Sequence, residues 1–316
     1  MPFRTILGLK FYTGDMPGLL RLTREGGLIV VPSAPVLVQM PRDPAHRAAL
    51  EGSDFALTDS GFMVLLWRFL QRERLPRISG LKYLRALVES PDFHEPGATF
   101  WVMPSAAQAA GDRAWLKRKG LALTEADCYV APVYPAGPLS DPTLLALLEE
   151  RRPRYVILCL GGGVQERLGF FLRQNLSSFA EPEGRTAGGP EDQTPSVQTS
   201  YHPTIRPPDD PSARPTIRPS DPPALRPSGL PPPSSVLRPP SSARDNARPA
   251  LLCTGAAIAF LSEQQANIPV WADRYMLGWL LRTLHDPLRF FPRYWKALRL
   301  VPLLLRYGAR PVSGTR

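Results

Sequence analysis

The chain has 316 residues, 43% of them hydrophobic, which suffices for a real core in one large or two modest domains. Its net charge is +10 and it carries 38 prolines, both unevenly spread. No apolar run approaches the ~18–20 residues of a spanning helix, the short run between Arg4 and Lys10 does not read as a signal peptide, and Cys128, Cys159 and Cys253 beside apolar runs read as reduced, buried thiols in a cytosolic setting.

Arg4–Phe11 reads as a first strand or hairpin arm. Asp15 can cap a helix running to about Arg24, Gly26 and Gly27 end it, and Leu28–Val31 is a short buried strand. Ser33 stands between Pro32 and Pro35 at that strand's carboxyl end, where open α/β sheets bind ligands. Two helical pieces, Val36–Met40 and Ala45–Leu50, are separated by Pro41 and Pro44. Asp54–Gly61 is a strand and turn leading into the apolar helix Phe62–Leu70. Asp59, at the end of that strand, can stabilise the helix N-terminus or serve as a general base in the crevice. Ser79 caps a further helix, with Arg77 just before it and available to an anion. Strands at Thr99–Val102 and Cys128–Val133 alternate with helices at Ala106–Lys119 and Thr143–Arg151, the latter capped by Ser140 or Asp141. Such alternation marks a mostly parallel sheet covered on both faces.

The stretch around which the chain is organised begins at Tyr155. Six apolar residues form a strand buried on both faces. Gly161, Gly162 and Gly163 come directly after it, and then an amphipathic helix opens with Gln165 and Glu166 in its first turn. Strand, glycine turn and helix together can present backbone N–H groups to an anion. A turn serving packing alone has the same residues. No Gly-Lys-Ser/Thr comes next, so this is not a phosphate loop of the Walker kind.

From Glu181 to Ala250 the composition changes, with 18 of the chain's 38 prolines and a decaying 12-residue repeat starting at Pro203, Pro215 and Pro227. Eight arginines balance eight acids there. Apolar residues are too few to offset ordering entropy, so 181–250 reads as a disordered, partly polyproline II insertion. It is either an expanded surface loop or a recruitment site for a proline-binding module. Leu251–Leu261 restores buried-strand character, so the insertion interrupts one domain. From Ala272 to Arg316 nine Lys/Arg face two acids. Arg282, Arg289, Arg293 and Lys296 recur at helical steps on one face, beside aromatics. That pattern fits an interfacial helix on anionic lipid and equally a docked terminal helix with a solvated basic face.

Five motifs in order support a named resemblance. Trp279 and Arg282, succeeded by Pro287, Arg289, Arg293 and Tyr294, resemble the signature of the WecG/TagA/CpsF glycosyltransferase family. Gly161 through Glu166 is similar to its G-x-P-x-Q-E turn, Asp59 to the Asp of its D-G element, Arg77 to Gly80 to its R-V-T-G, and Pro269 with Trp271 to its A-P-x-W. The matches run from about Arg4 to Tyr294 apart from the insertion. The chain departs from the pattern at Val31, Ser33, Ser60, Met103, Pro104, Ala259, Glu263 and Gly278.

The resemblance implies an α/β, Rossmann-like, mostly parallel sheet with helices on both faces over residues 1–180 and 251–271, plus a C-terminal basic helical appendage over 272–316. It implies an inverting, metal-independent transferase. This moves an N-acetylmannosamine-type sugar from a UDP donor to a polyprenyl-diphosphate-linked acceptor, for surface polysaccharide. Asp59 would be the base. Ser33, Arg77, Gly161, Gly162, Gly163 and Gln165 would line the sugar site, and Arg282, Arg289 and Arg293 would hold the diphosphate. No cofactor, no metal ligand and no nucleic acid is expected. The protein would sit in the cytoplasm at the inner face of the membrane, as a monomer or a homo-oligomer. A relative that binds nucleotide-sugar or lipid without turnover, and a scaffold working through the proline-rich segment, are the competing readings.

Overall fold

A computed structural model describes residues 2–179, 248–262 and 295–314. All belong to one unit formed by Met1–Glu181 and Ser242–Arg316. The proline-rich repeats, the motif around Trp279, and Arg282, Arg289 and Arg293 lie outside the described residues.

Among the described residues eight strands form one sheet in the order β1-β2-β4-β3-β8-β7-β5-β6. The hairpin of β1 (Phe3–Ile6) and β2 (Leu9–Tyr12) forms the antiparallel pair. From there inward β2, β4 (Phe55–Leu57), β3 (Gly27–Val30), β8 (Ala250–Cys253), β7 (Tyr155–Leu158), β5 (Thr99–Met103) and β6 (Cys128–Val130) run parallel. This is the expected Rossmann-like α/β architecture. The last of these eight strands in sequence sits at the centre, with Leu251 paired to Leu28 on one side and Val156 on the other.

Burial on both faces explains the unbroken apolar runs. Alternate residues feed two cores. Leu28, Val30, Leu251, Cys253, Val156 and Leu158 face one. Ile29, Val31, Leu252, Tyr155, Ile157 and Cys159 face the other. The first core is covered by α2 (Ala34–Gln39), α3 (Pro44–Glu51), α4 (Gly61–Gln71), α7 (Pro142–Arg151), α8 (Val164–Asn175) and α10 (Leu300–Tyr307). The second is covered by α1 (Met16–Arg24), α5 (Gly80–Val88), α6 (Ala106–Arg118) and α9 (Ala257–Leu261). Gly169 lets α8 lie close on the central strands, since a Cβ there would stand 2.6 Å from Leu28 Cδ1.

Three local expectations are corrected. The strand expected over Cys128–Val133 ends at Val130, at the sheet's edge. The run Leu251–Leu261 is not one strand, because Gly255 takes φ +61° and the chain turns into α9. Asp59 does not cap the helix next to it. That helix begins one residue earlier than expected, at Gly61, so Ser60 is its cap and accepts from Met63 N–H at 3.2 Å. At the C-terminus, α10 packs against α2 and α4, and the segment after it bonds the hairpin turn, Leu7 N–H donating to Gly308 O at 2.8 Å.

Candidate functional site

The carboxyl ends of β3, β4, β5, β7 and β8 open into one cleft of about 990 Å³. The loops leaving these strands line it with Ser33, Asp59, Pro104, the turn from Cys159 to Gly162, and Thr254 to Ala257. This is where open α/β sheets place ligands.

Asp59 is positioned by the end of β4 gripping the segment before α5. Buried Thr58 donates from Oγ1 to Pro76 O at 2.6 Å and accepts from Ile78 N–H at 3.1 Å. Arg77 Nε donates to Asp59 O at 3.0 Å. The Asp59 carboxylate accepts from Gly80 N–H at 3.0 Å, so it does sit at a helix N-terminus, that of α5, where an anion is favoured. Arg77 and half-buried Asp59 thus share one wall of the cleft.

The glycine turn forms the facing edge. Gly161 and Gly162 are exposed to the cleft. Gly163 is not among the lining residues. It is buried at φ +92°, its N–H donates to Glu166 Oε2 at 2.6 Å, and a Cβ there would face Gln39 and His46. His46 in turn donates from Nε2 to Val36 O at 3.0 Å, bracing α3 against α2 behind the turn. Gln165 is 3% exposed. Its Oε1 accepts from Gly255 N–H at 2.7 Å and its Nε2 donates to Glu166 Oε1 at 3.1 Å. These partners fix the amide's orientation, because the backbone N–H can only donate and the carboxylate only accept. Gln165 therefore ties the loop after β7 to the loop after β8 and presents the rest of its side chain to the cleft.

A second wall was missed in the sequence. Arg85 comes from α5 and Glu89 from its C-terminal cap, and Gln108, Trp115 and Lys119 from the stretch around α6. The Lys119 ammonium lies 5.8 Å from the centre of the Trp115 ring. His94 joins the two helix ends, its ring nitrogens 2.6 Å from Val88 O and 3.3 Å from Gly120 O. The polar steps Arg85–Glu89 and Gln108–Trp115–Lys119 are helical, the one signal available beforehand. Beside this wall Ser262 donates to Asp112 Oδ1 at 2.6 Å, pinning α9 to α6, and burial raises the Asp112 carboxyl above its ordinary value. Cys159 also lines the cleft, but burial pushes its thiol well above the ordinary range, which favours the neutral thiol over the nucleophilic thiolate.

Of the ten residues expected at the site, the structure brings Ser33, Asp59, Arg77, Gly161, Gly162 and Gln165 to this cleft. Gly163 stands behind it, and Arg282, Arg289 and Arg293 lie outside the described residues. Among the described residues no group of three or more His, Cys, Asp or Glu side chains could hold a metal ion. Among them, too, no helix is long and apolar enough to cross a membrane.

Comparison with curated proteins found no match. A family model, described as Glycosyl transferase WecG/TagA/CpsF family, matches residues 4–185 and 241–313. The interval between these stretches contains the proline-rich repeats. Together the two matched stretches reach every strand of the sheet and cover most of the chain, and the chain belongs to the WecG/TagA/CpsF family of glycosyltransferases.

Proposed function

We propose that this protein is an inverting transferase that moves an N-acetylmannosamine-type sugar from a UDP donor to a polyprenyl-diphosphate-linked acceptor, in the making of surface polysaccharide. The observation that carries the proposal is the convergence of Asp59 and the Gly161–Gly162–Gln165 turn on one cleft. In the reaction the acceptor hydroxyl oxygen attacks the anomeric carbon and the bond from that carbon to the UDP oxygen breaks. Asp59 takes the hydroxyl proton as general base. A single displacement needs one base and no covalent intermediate. Arg77 steadies the same wall, Ser33 and the exposed N–H edge of the glycine turn contact the sugar or phosphates, and Gln165 holds the two loops in register. Arg282, Arg289 and Arg293 neutralise the leaving diphosphate by two-pronged contacts, in place of a metal ion. The basic C-terminal tail brings the protein to the inner face of the cytoplasmic membrane, where the acceptor's lipid resides.

The capping bond from Gly80 to Asp59 favours a second reading, in which Asp59 is kept for structure and the cleft binds nucleotide-sugar without turnover. Transfer measured over a panel of UDP-sugars, with and without chelator, on wild type and Asp59→Asn separates the two. The first reading expects transfer by the wild type, unaffected by chelator and abolished in the variant. Equal rates in the two proteins remove Asp59 as the base, and loss of activity to chelator removes the metal-free mechanism.

A further inference from the structure

Helix α4 is apolar almost all the way round. Met63, Val64 and Trp67 face the core. Phe62, Leu66 and Leu70 pack partly against that core as well, while Leu65 and Phe69, one helical step of four apart, form an apolar stripe on another face. On that face Leu65 is 47% exposed and Phe69 81% exposed. A helix with two apolar faces is ordinarily covered on both, and here the sheet covers one. Its neighbour α10 adds exposed Leu305, with exposed Leu298 just before it.

The charges around these residues have one sign. Arg68, Arg72 and Arg74 are exposed on or just after α4. The one acid among them, Glu73, is taken by Arg4 and by Trp67 Nε1. Residues 295–314 carry exposed Lys296, Arg299, Arg306 and Arg310 and no acid. Aromatic and leucine side chains set among cations complement an anionic bilayer, with the apolar groups entering the headgroup boundary and the guanidiniums meeting lipid phosphates.

We infer that the exposed face of α4, together with α10, docks the protein on an anionic membrane surface. The inference rests on the reading that the acceptor is lipid-linked and adds the element that makes the contact, one on the folded domain and not on the tail alone. It also explains an otherwise odd placement. α4 begins at Gly61, two residues after Asp59, and Phe69 lies eight residues further, ~12 Å along the helix at 1.5 Å per residue. Docking through this helix holds the Asp59 end of the cleft close to the headgroups that carry the acceptor.

The test is co-sedimentation of the full chain with phosphatidylcholine vesicles, with and without phosphatidylglycerol. Wild type is expected to bind the anionic vesicles. Leu65→Ser/Phe69→Ser should weaken that binding about tenfold or more from the lost apolar burial. Arg68→Gln/Arg72→Gln should remove part of its salt sensitivity. Both pairs are at exposed positions, and an unchanged melting temperature establishes the fold. Binding by Leu65→Ser/Phe69→Ser equal to wild type overturns the inference. So does sedimentation velocity without vesicles that finds a dimer broken by that variant while vesicle binding is unaffected, which would give the face to a second copy. Transfer to a short, water-soluble acceptor analogue is read alongside. Vesicle binding lost in the variant while neither protein transfers any sugar would support the docking face and refute the enzymatic reading. Transfer retained with vesicle binding undiminished would do the reverse.

Discussion

Gly162→Ala probes the contact that shapes the cleft edge. A Cβ at this position would stand 2.6 Å from Val36 Cγ2. Carbon atoms rest at ~3.5–4.0 Å, so turn and helix must separate by about 1 Å. Val36 is buried on α2 and its carbonyl is held by His46, which leaves the helix little room to yield. The exposed turn yields instead and tilts into the cleft. Overpacking of this kind costs ~1–3 kcal/mol, a fall of ~2–4 °C in melting temperature per kcal/mol for a domain of this size. Val36→Ala alone should cost ~1.5 kcal/mol in transfer terms, with more for any cavity left. In the double variant the truncated side chain makes room for the new methyl, so its cost should fall short of the sum by ~1 kcal/mol or more. Urea denaturation at unchanged m measures all three. UDP binding, measured by calorimetry, should weaken in Gly162→Ala and recover in the double variant. Strict additivity of the two stability changes would mean that the turn and α2 do not abut, and the steric reason for glycine at 162 would fall.

Asp59→Asn should lower transfer by about 10²–10⁴-fold while changing stability by less than ~1 kcal/mol, since the amide oxygen still accepts from Gly80 N–H; a comparable loss of stability would mark Asp59 as structural. Asp92 accepts from Arg24 at 2.9 and 3.1 Å and from the Tyr155 hydroxyl. The Arg24 guanidinium foremost, helped by that hydroxyl, holds its carboxyl well below the usual carboxylate range. The folded value being depressed, the stabilisation is complete above about pH 4 and drains away as pH falls toward the folded value. Asp92→Asn should therefore cost ~1 kcal/mol near neutrality, a figure kept small because Arg24 is partly solvated, and the gap to wild type in urea melts should close in acid; a gap that widened in acid would contradict the assignment. Burial raises the Cys159 and Cys253 thiols far above their ordinary value and Cys128 to about 11. Ellman's reagent at pH 8 should thus find no fast thiol in the folded protein and three after denaturation; because Cys128 stands on the edge strand β6, two or more rapid native thiols would refute the packing of β7 and β8.

The sequence by itself determined the elements and their order. Both-face apolar runs, Asp15, Ser79 and Asp141 as caps, and glycines at the turns are local features, each answering to a few neighbouring residues. The meeting of Asp59 with the Gly161 turn could be read in outline, because strand ends of a parallel sheet share one edge. What only the tertiary structure decided was pairing across distance. Asp59 meets the first N–H of α5, beside its cap Ser79, and not the helix next to it, because Thr58 pulls residues 76–78 onto the end of β4. Gln165 is spent on Gly255, 90 residues away, because β8 inserts beside β7. The wall of Arg85, Trp115 and Lys119 exists because α5 and α6 lie on the same face of the sheet. No local spacing encodes such contacts. They come from the strand order, and that order is set by how the whole chain buries its two cores.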